Sequence, residues 1–169
     1  MPTRTGLFCI ALGALAASLL SFAAPAPAAD PPVALTGVAL PDGYRNWTAV
    51  APSHRTDKNH MRMMLANDIM AKAYREGALP FPDGSTIAKL VYKAEKSKEW
   101  EEAIVPGEPA SVEIMIKDSK KYASTGGWGF GRFSPAGKPV GDAEVYKTCF
   151  PCHEANVRNH DYVFTRWAP

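Results

Sequence analysis

Hydrophobic and polar positions alternate through most of the chain, and only short stretches depart to helical spacing. Tyr44 to Val50, around Trp47, and His60 to Leu65 predict two strands. The polar run Pro52 to Asn59 predicts the loop between them. Asn67 and Asp68 suit a helix N-cap, Ile69 to Glu76 the helix, and Gly77 its stop. Pro80 to Gly84 is a turn cluster. Thr86 to Lys93, Ala110 to Lys117 and Trp128 to Phe133 alternate again and predict strands. Between them, Ser97 to Ile104 reads as a helical turn or loop, and Pro106 to Pro109 as another turn. Asp118 suits the cap of a short helix through Tyr122, ended by Gly126 and Gly127. Ser134 to Gly141 reads as a hairpin-like turn, Asp142 as the cap of a last helix, and Tyr162 to Trp167 as a final strand. The expected fold class is α+β, with about five strands and short helices.

The N-terminus belongs to a different regime. Arg4 is followed by an almost unbroken apolar run from Leu7 to Phe22 and then Ala24-Pro-Ala-Pro-Ala28. A basic start, a short apolar run and small residues at a cleavage point are the layout of a secretory signal peptide. Residues 1–28 are therefore expected to be removed, leaving residues 29–43 as an extended Pro/Ala-rich lead-in and 44–169 as one domain. No later apolar run is long enough to predict a membrane span. A formal net charge of +2, with basic and acidic residues interspersed, argues against nucleic acid or an anionic membrane as partner. Lys117, Lys120 and Lys121 form the only local basic cluster, which a solvated turn explains.

Cysteine usage carries the chemistry. Cys9 leaves with the leader, and the other two cysteines lie in Cys149-Phe-Pro-Cys152-His153. C-x-x-C-H is the attachment signature of c-type haem. Two cysteines three apart on a helical turn reach the two vinyl groups along one porphyrin edge, and the adjoining histidine then faces the iron. Haem c, one per chain, held by Cys149 and Cys152 and ligated by His153, is the expected cofactor. A structural disulfide leaves His153 unexplained, a thioredoxin-type pair belongs early in a βαβ unit, and a zinc site lacks a second cysteine pair.

The sixth coordination position distinguishes electron transfer from chemistry at the iron. No methionine follows His153. Met61, Met63, Met64, Met70 and Met115 lie upstream and read as packing, Met61 and Met63 as strand core. His160 is too close in sequence to reach the opposite face, and His54 and His60 lie in polar surroundings. A five-coordinate iron open to small nitrogenous ligands is therefore expected. Five-coordinate c-type cytochromes with a C-terminal attachment motif are usually four-helix bundles, and this chain has no long helical periods.

An exported, strand-rich chain with one C-terminal C-x-x-C-H resembles the cytochrome P four-sixty family. Supporting segments are Tyr44-Arg-Asn-Trp47, Phe81-x-Asp83-Gly84 with Lys89, Val112 to Tyr122, Trp128-Gly-Phe-Gly-Arg-Phe133, the haem motif, and Asp161-Tyr-Val-Phe-Thr-Arg166. The resemblance implies a predominantly antiparallel sheet, a homodimer, and periplasmic oxidation of hydroxylamine to nitric oxide or nitrous oxide. The electrons would pass to an external acceptor such as a small cytochrome. It also implies a third covalent link to the haem, from Lys89. A sister group of β-sheet cytochromes lacks that link and binds nitric oxide without turnover; it is the first alternative. A plain electron-transfer cytochrome is the second.

Read from residues alone, Lys89 shares a strand face with Ile87 and Val91, while Ala88, Leu90 and Tyr92 make the better core face. Only the family match moves Lys89 from solvent to the haem. Glu144, five residues before Cys149, is the candidate distal base, expected to accept protons from bound hydroxylamine. A helix-start carboxylate favoured by the macrodipole is an equal reading. Phe81, Trp128, Phe130 and Phe133 are candidate pocket aromatics, and Arg166 suits a propionate or a surface ion pair.

Overall fold

The structure, a computed structural model, describes residues 30–168. The expected leader, residues 1–28, lies outside them. Five strands form one antiparallel sheet: β1 (Thr48–Arg55), β2 (His60–Ala66), β3 (Thr86–Lys96), β4 (Ile104–Lys117) and β5 (Trp128–Phe133). They lie in chain order across the sheet, so every sheet neighbour is also a neighbour in sequence. Two helices complete the α+β fold: α1 (Asp68–Glu76) between β2 and β3, and α2 (Ala143–Val157) after β5.

Helix α1 begins and ends where its sequence says. The Asn67 side chain accepts from the Met70 N–H, and Gly77 closes the helix in the left-handed region at φ 63°. The helix buries Met70, Ala71, Ala73 and Tyr74 against one face of the sheet, where they meet Met64, Ile87, Met115 and Trp128. The other face is covered by the N-terminal segment. Ala34, Val38 and Leu40 pack there on Leu65, Ala88, Leu90, Val112 and Phe133. Gly129 and Gly131 allow this approach, since a Cβ at either would stand within 3 Å of the Val38 side chain. The small–large alternation of β5 is thus a packing requirement.

Four expectations change. The first strand is shifted: Tyr44–Asn46 is a 3₁₀ turn, and β1 runs through Pro52 to Arg55. Proline is tolerated because β1 is an edge strand and needs no outward N–H. Pro106 to Pro109 likewise lies inside β4, at a register irregularity opposite Tyr92 and Ala94. That part of β4 extends beyond its pairing with β5, which begins at Val112. Asp118 caps a turn rather than a helix; its Oδ1 accepts from the N–H groups of Lys120 and Lys121, and a 3₁₀ turn follows at Ala123–Thr125. Tyr162 to Trp167 is not a strand. Its carbonyls are taken by side chains instead of a ladder: Tyr162 by His153, Thr165 by Tyr74, and Val163 and Phe164 by Arg166.

Candidate functional site

A cavity of about 970 Å³ opens between α2 and the α1-side face of the sheet. That is the upper end of the ~300–1,000 Å³ range of small-molecule and cofactor sites. Helix α2 supplies one wall. Asp142 caps it by accepting from the Val145 N–H at 3.0 Å. Cys149, Cys152 and His153 lie three and four residues apart, so all three share one helical face and line the cavity. Both cysteines are free thiols. Burial, with the nearby Glu113 carboxylate adding to it, pushes the Cys149 thiol above its usual pKa.

His153 is oriented for metal binding. Its Nδ1 lies 2.7 Å from the Tyr162 carbonyl, which can only accept, so Nδ1 carries the proton and Nε2 keeps its lone pair. Burial lowers the imidazole pKa and keeps the ring neutral, as a ligand must be. Phe130 and Phe164 meet the ring edge-on, with centroids 5.0 and 4.9 Å away.

The sheet supplies the opposite wall, and its register places one charged row in the cavity. Lys89 on β3 pairs with Glu113 on β4, and Glu113 with Arg132 on β5. All three side chains point from the same face into the cavity. Lys89 Nζ forms an ion pair with Glu113, and Arg132 Nε approaches the second Glu113 oxygen at 4.0 Å. Ser111 donates to the same carboxylate. Burial pushes the Glu113 carboxyl upward, but Lys89, Arg132 and Ser111 together outweigh it and hold the pKa below the usual glutamate range. Apolar side chains of Ile87, Met115 and Phe130 flank this row.

That lowered pKa has a consequence in the haem-free protein. A depressed folded-state pKa contributes stability above the unfolded value, and the contribution is lost as pH falls through the folded value. In urea titrations, the wild-type advantage over Glu113→Gln should hold at neutral pH. It should shrink as pH drops below the ordinary glutamate range. A gap that does not change with pH would contradict the pairing.

The other expected site residues are divided by the structure. Glu144 is not in the cavity; its side chain is 77% exposed in the first turn of α2 and pairs with Lys147 at 2.6 Å. Trp128 and Phe81 are buried under α1, and Phe133 packs on the opposite face with the N-terminal segment. Only Phe130 of the four aromatics lines the cavity. Arg166 reaches the rim, where it donates to the Val163 and Phe164 carbonyls. His160 packs edge-on against Phe81 and does not line the cavity, whereas the exposed His54 does. Met64 and Met115 are buried at the cavity wall, and Met70 is on the buried face of α1, away from the cavity.

Sequence reading passed over Glu113, whose signal was its parity with Met115 on an alternating strand. It also placed Lys117 in a solvated turn. Lys117 is 8% exposed, and its Nζ donates to both Asp161 carboxylate oxygens at 2.7 and 3.0 Å.

The residues present fit a haem. Among the described residues, Arg62 Nε and Ser53 Oγ are buried without a partner. Both line the cavity, as do Arg55 and Arg132. Burial, then the like charge of Arg55, lowers the Arg62 pKa, an environment that calls for an anion. A propionate carboxylate supplies one and suits the planar guanidinium fork. Two thiols, one neutral imidazole, an apolar row and an unpartnered cationic end therefore match the parts of haem c. No curated protein matches the chain. The family profile described as Cytochrome P460 matches residues 41–165, from just before β1 to the segment that follows the haem motif, and the chain belongs to that family of covalent haem c proteins.

Proposed function

We propose that this haem c protein oxidises hydroxylamine, and that Lys89 forms a third covalent link to the haem. The observation that supports this most directly is the position of Lys89. It stands on the cavity wall facing the attachment helix, held there by Glu113. Bound in the cavity, the haem would supply the iron at which hydroxylamine is oxidised and would take up its electrons. The chain's own residues do the rest. His153 would hold the iron from α2 through its Nε2, with the Tyr162 carbonyl keeping the proton on Nδ1. Arg62 and Arg55, which line the cavity, would neutralise the propionate end. Ile87 and Met115 give the wall beside Lys89 its apolar surface.

Oxidation of hydroxylamine to nitric oxide releases three electrons and three protons, so a nearby base aids turnover. In this reading the base is Glu113, not Glu144. While Lys89 is an ammonium, Glu113 is too acidic to serve well. Arylation of the lysine nitrogen removes that positive charge, so burial is then less opposed and the carboxyl rises toward a useful range. Export through the 1–28 leader to the periplasm, a homodimer, and a small cytochrome as electron acceptor complete the proposal.

The optical spectrum of the dithionite-reduced protein, followed by hydroxylamine-dependent reduction of a dye, tests it. A strongly red-shifted Soret band with dye reduction is the expected result. An ordinary five-coordinate spectrum without turnover would replace it with a nitric-oxide-binding cytochrome. A six-coordinate, low-spin spectrum would make Met64 or Met115 a ligand and electron transfer the function.

A further inference from the structure

We propose that Lys117 and Asp161 are positioning residues that set the hydrogen bond on the proximal histidine, and through it the reduction potential of the haem. This rests on the haem c assignment and not on hydroxylamine oxidation.

Lys117 does not line the cavity, yet it is buried at the end of β4. Its Nζ donates to both oxygens of Asp161 and to the Gly126 carbonyl at 3.1 Å, and it stands 5.1 Å over the Trp128 ring. The Asp161 Oδ2 also accepts the Phe81 N–H at 2.9 Å. Asp161 is therefore held by two elements distant in sequence.

What it holds is an unusual piece of backbone. Asp161 and Tyr162 are consecutive non-glycine residues in the left-handed region, at φ 47° and 63°. Without restraint, L residues leave that region. The Tyr162 ring lies over Gly126, where a Cβ would come within 2.4 Å of it. The Tyr162 carbonyl, emerging from this turn, is the acceptor for His153 Nδ1. Its direction is set by the two dihedral pairs that the ion pair pins. A buried ion pair contributes little net stability over an apolar pair of similar size, so its use here lies in geometry.

A short Nδ1–H···O bond makes the imidazole a stronger donor to iron and favours the ferric state. The test uses the mature holoprotein and reads the ferrous iron–histidine stretch by resonance Raman, the midpoint potential and the melting temperature. In Asp161→Asn, the stretch should fall and the potential rise while haem content is unchanged. The Lys117→Gln/Asp161→Asn double variant removes both charges, so no lone buried charge opposes folding; it should show the same two shifts. Lys117→Arg should show smaller shifts in the same direction. Lower melting temperatures with unchanged stretch and potential would overturn the inference. So would failure of the first two variants to mature while Lys117→Arg matures with both readouts unchanged. Shifts in a protein that does not oxidise hydroxylamine would support the inference and sink only the proposed activity.

Discussion

A Lys89→Leu variant is expected to keep its covalently attached haem and to lose the red-shifted Soret band. The attachment chemistry resides on α2, in Cys149, Cys152 and His153, none of which depends on Lys89 for its place. Leucine fits between Ile87 and Val91 on the same face of β3 and can form no bond to the porphyrin. Intact mass gives a direct count. Forming a carbon–nitrogen bond in place of a C–H and an N–H is a two-electron oxidation, with an external oxidant such as a peroxide taking the electrons and two protons released. It leaves the wild type two hydrogens lighter than the sum of chain and haem. The variant should equal that sum. Hydroxylamine turnover should fall by about 10²-fold or more, close to 3 kcal/mol of barrier, while nitric oxide still binds the ferrous form. A wild-type mass equal to the sum would remove the link. Full turnover in the variant would remove its role.

The variant also tests why sequence could not place Lys89. Its strand alternates cleanly, and Ala88, Leu90 and Tyr92 make a core face by composition. They are a core face, because Ala34, Val38 and Leu40 cover them. The lead-in reads as an extended run, and nothing local says that it folds back over the sheet. With that face buried, the other packs against α1 at Ile87 and opens at Lys89 into the cavity that α2 borders, where the lysine is half-buried. A strand covered on both sides defeats a one-sided reading of its pattern.

Local chemistry was legible where it acts locally. Asn67 and Gly77 bound α1, Asp142 starts α2, and the C-x-x-C-H spacing needs only one helical face. Features set by pairing across the sheet were not. Glu113 becomes a cavity residue only through the register that sets it between Lys89 and Arg132. Lys117 becomes a buried cation only through Asp161, forty-four residues later. Both lie on β4 with Met115 between them, so the inward face of that strand reads charge, apolar, charge. A polar alternation of that kind looks solvated unless its partners are known.

Glu113→Gln should show what that pairing does for chemistry. Glutamine keeps the volume and the contact with Ser111 but removes the charge that holds Lys89 and faces Arg132. Hydroxylamine oxidation should fall by about 10²–10⁴-fold, the usual contribution of a positioned proton acceptor. Two effects are superposed in that figure, and mass spectrometry separates them. If Glu113 only steadies Lys89 before the link forms, the linked fraction drops and each linked molecule turns over normally. If it also accepts protons, the linked molecules themselves are slow. Their rate should then lose the acid limb of its pH profile, because no carboxylate is left there to protonate. Glu144→Gln is the internal comparison: an exposed carboxylate paired with Lys147 outside the cavity should leave both the linked fraction and the rate unchanged. Should Glu144→Gln instead abolish turnover and Glu113→Gln leave it intact, the proton route would have to run along α2 and not across the sheet. The charged row on the sheet would then serve only to hold Lys89 in place until it reacts.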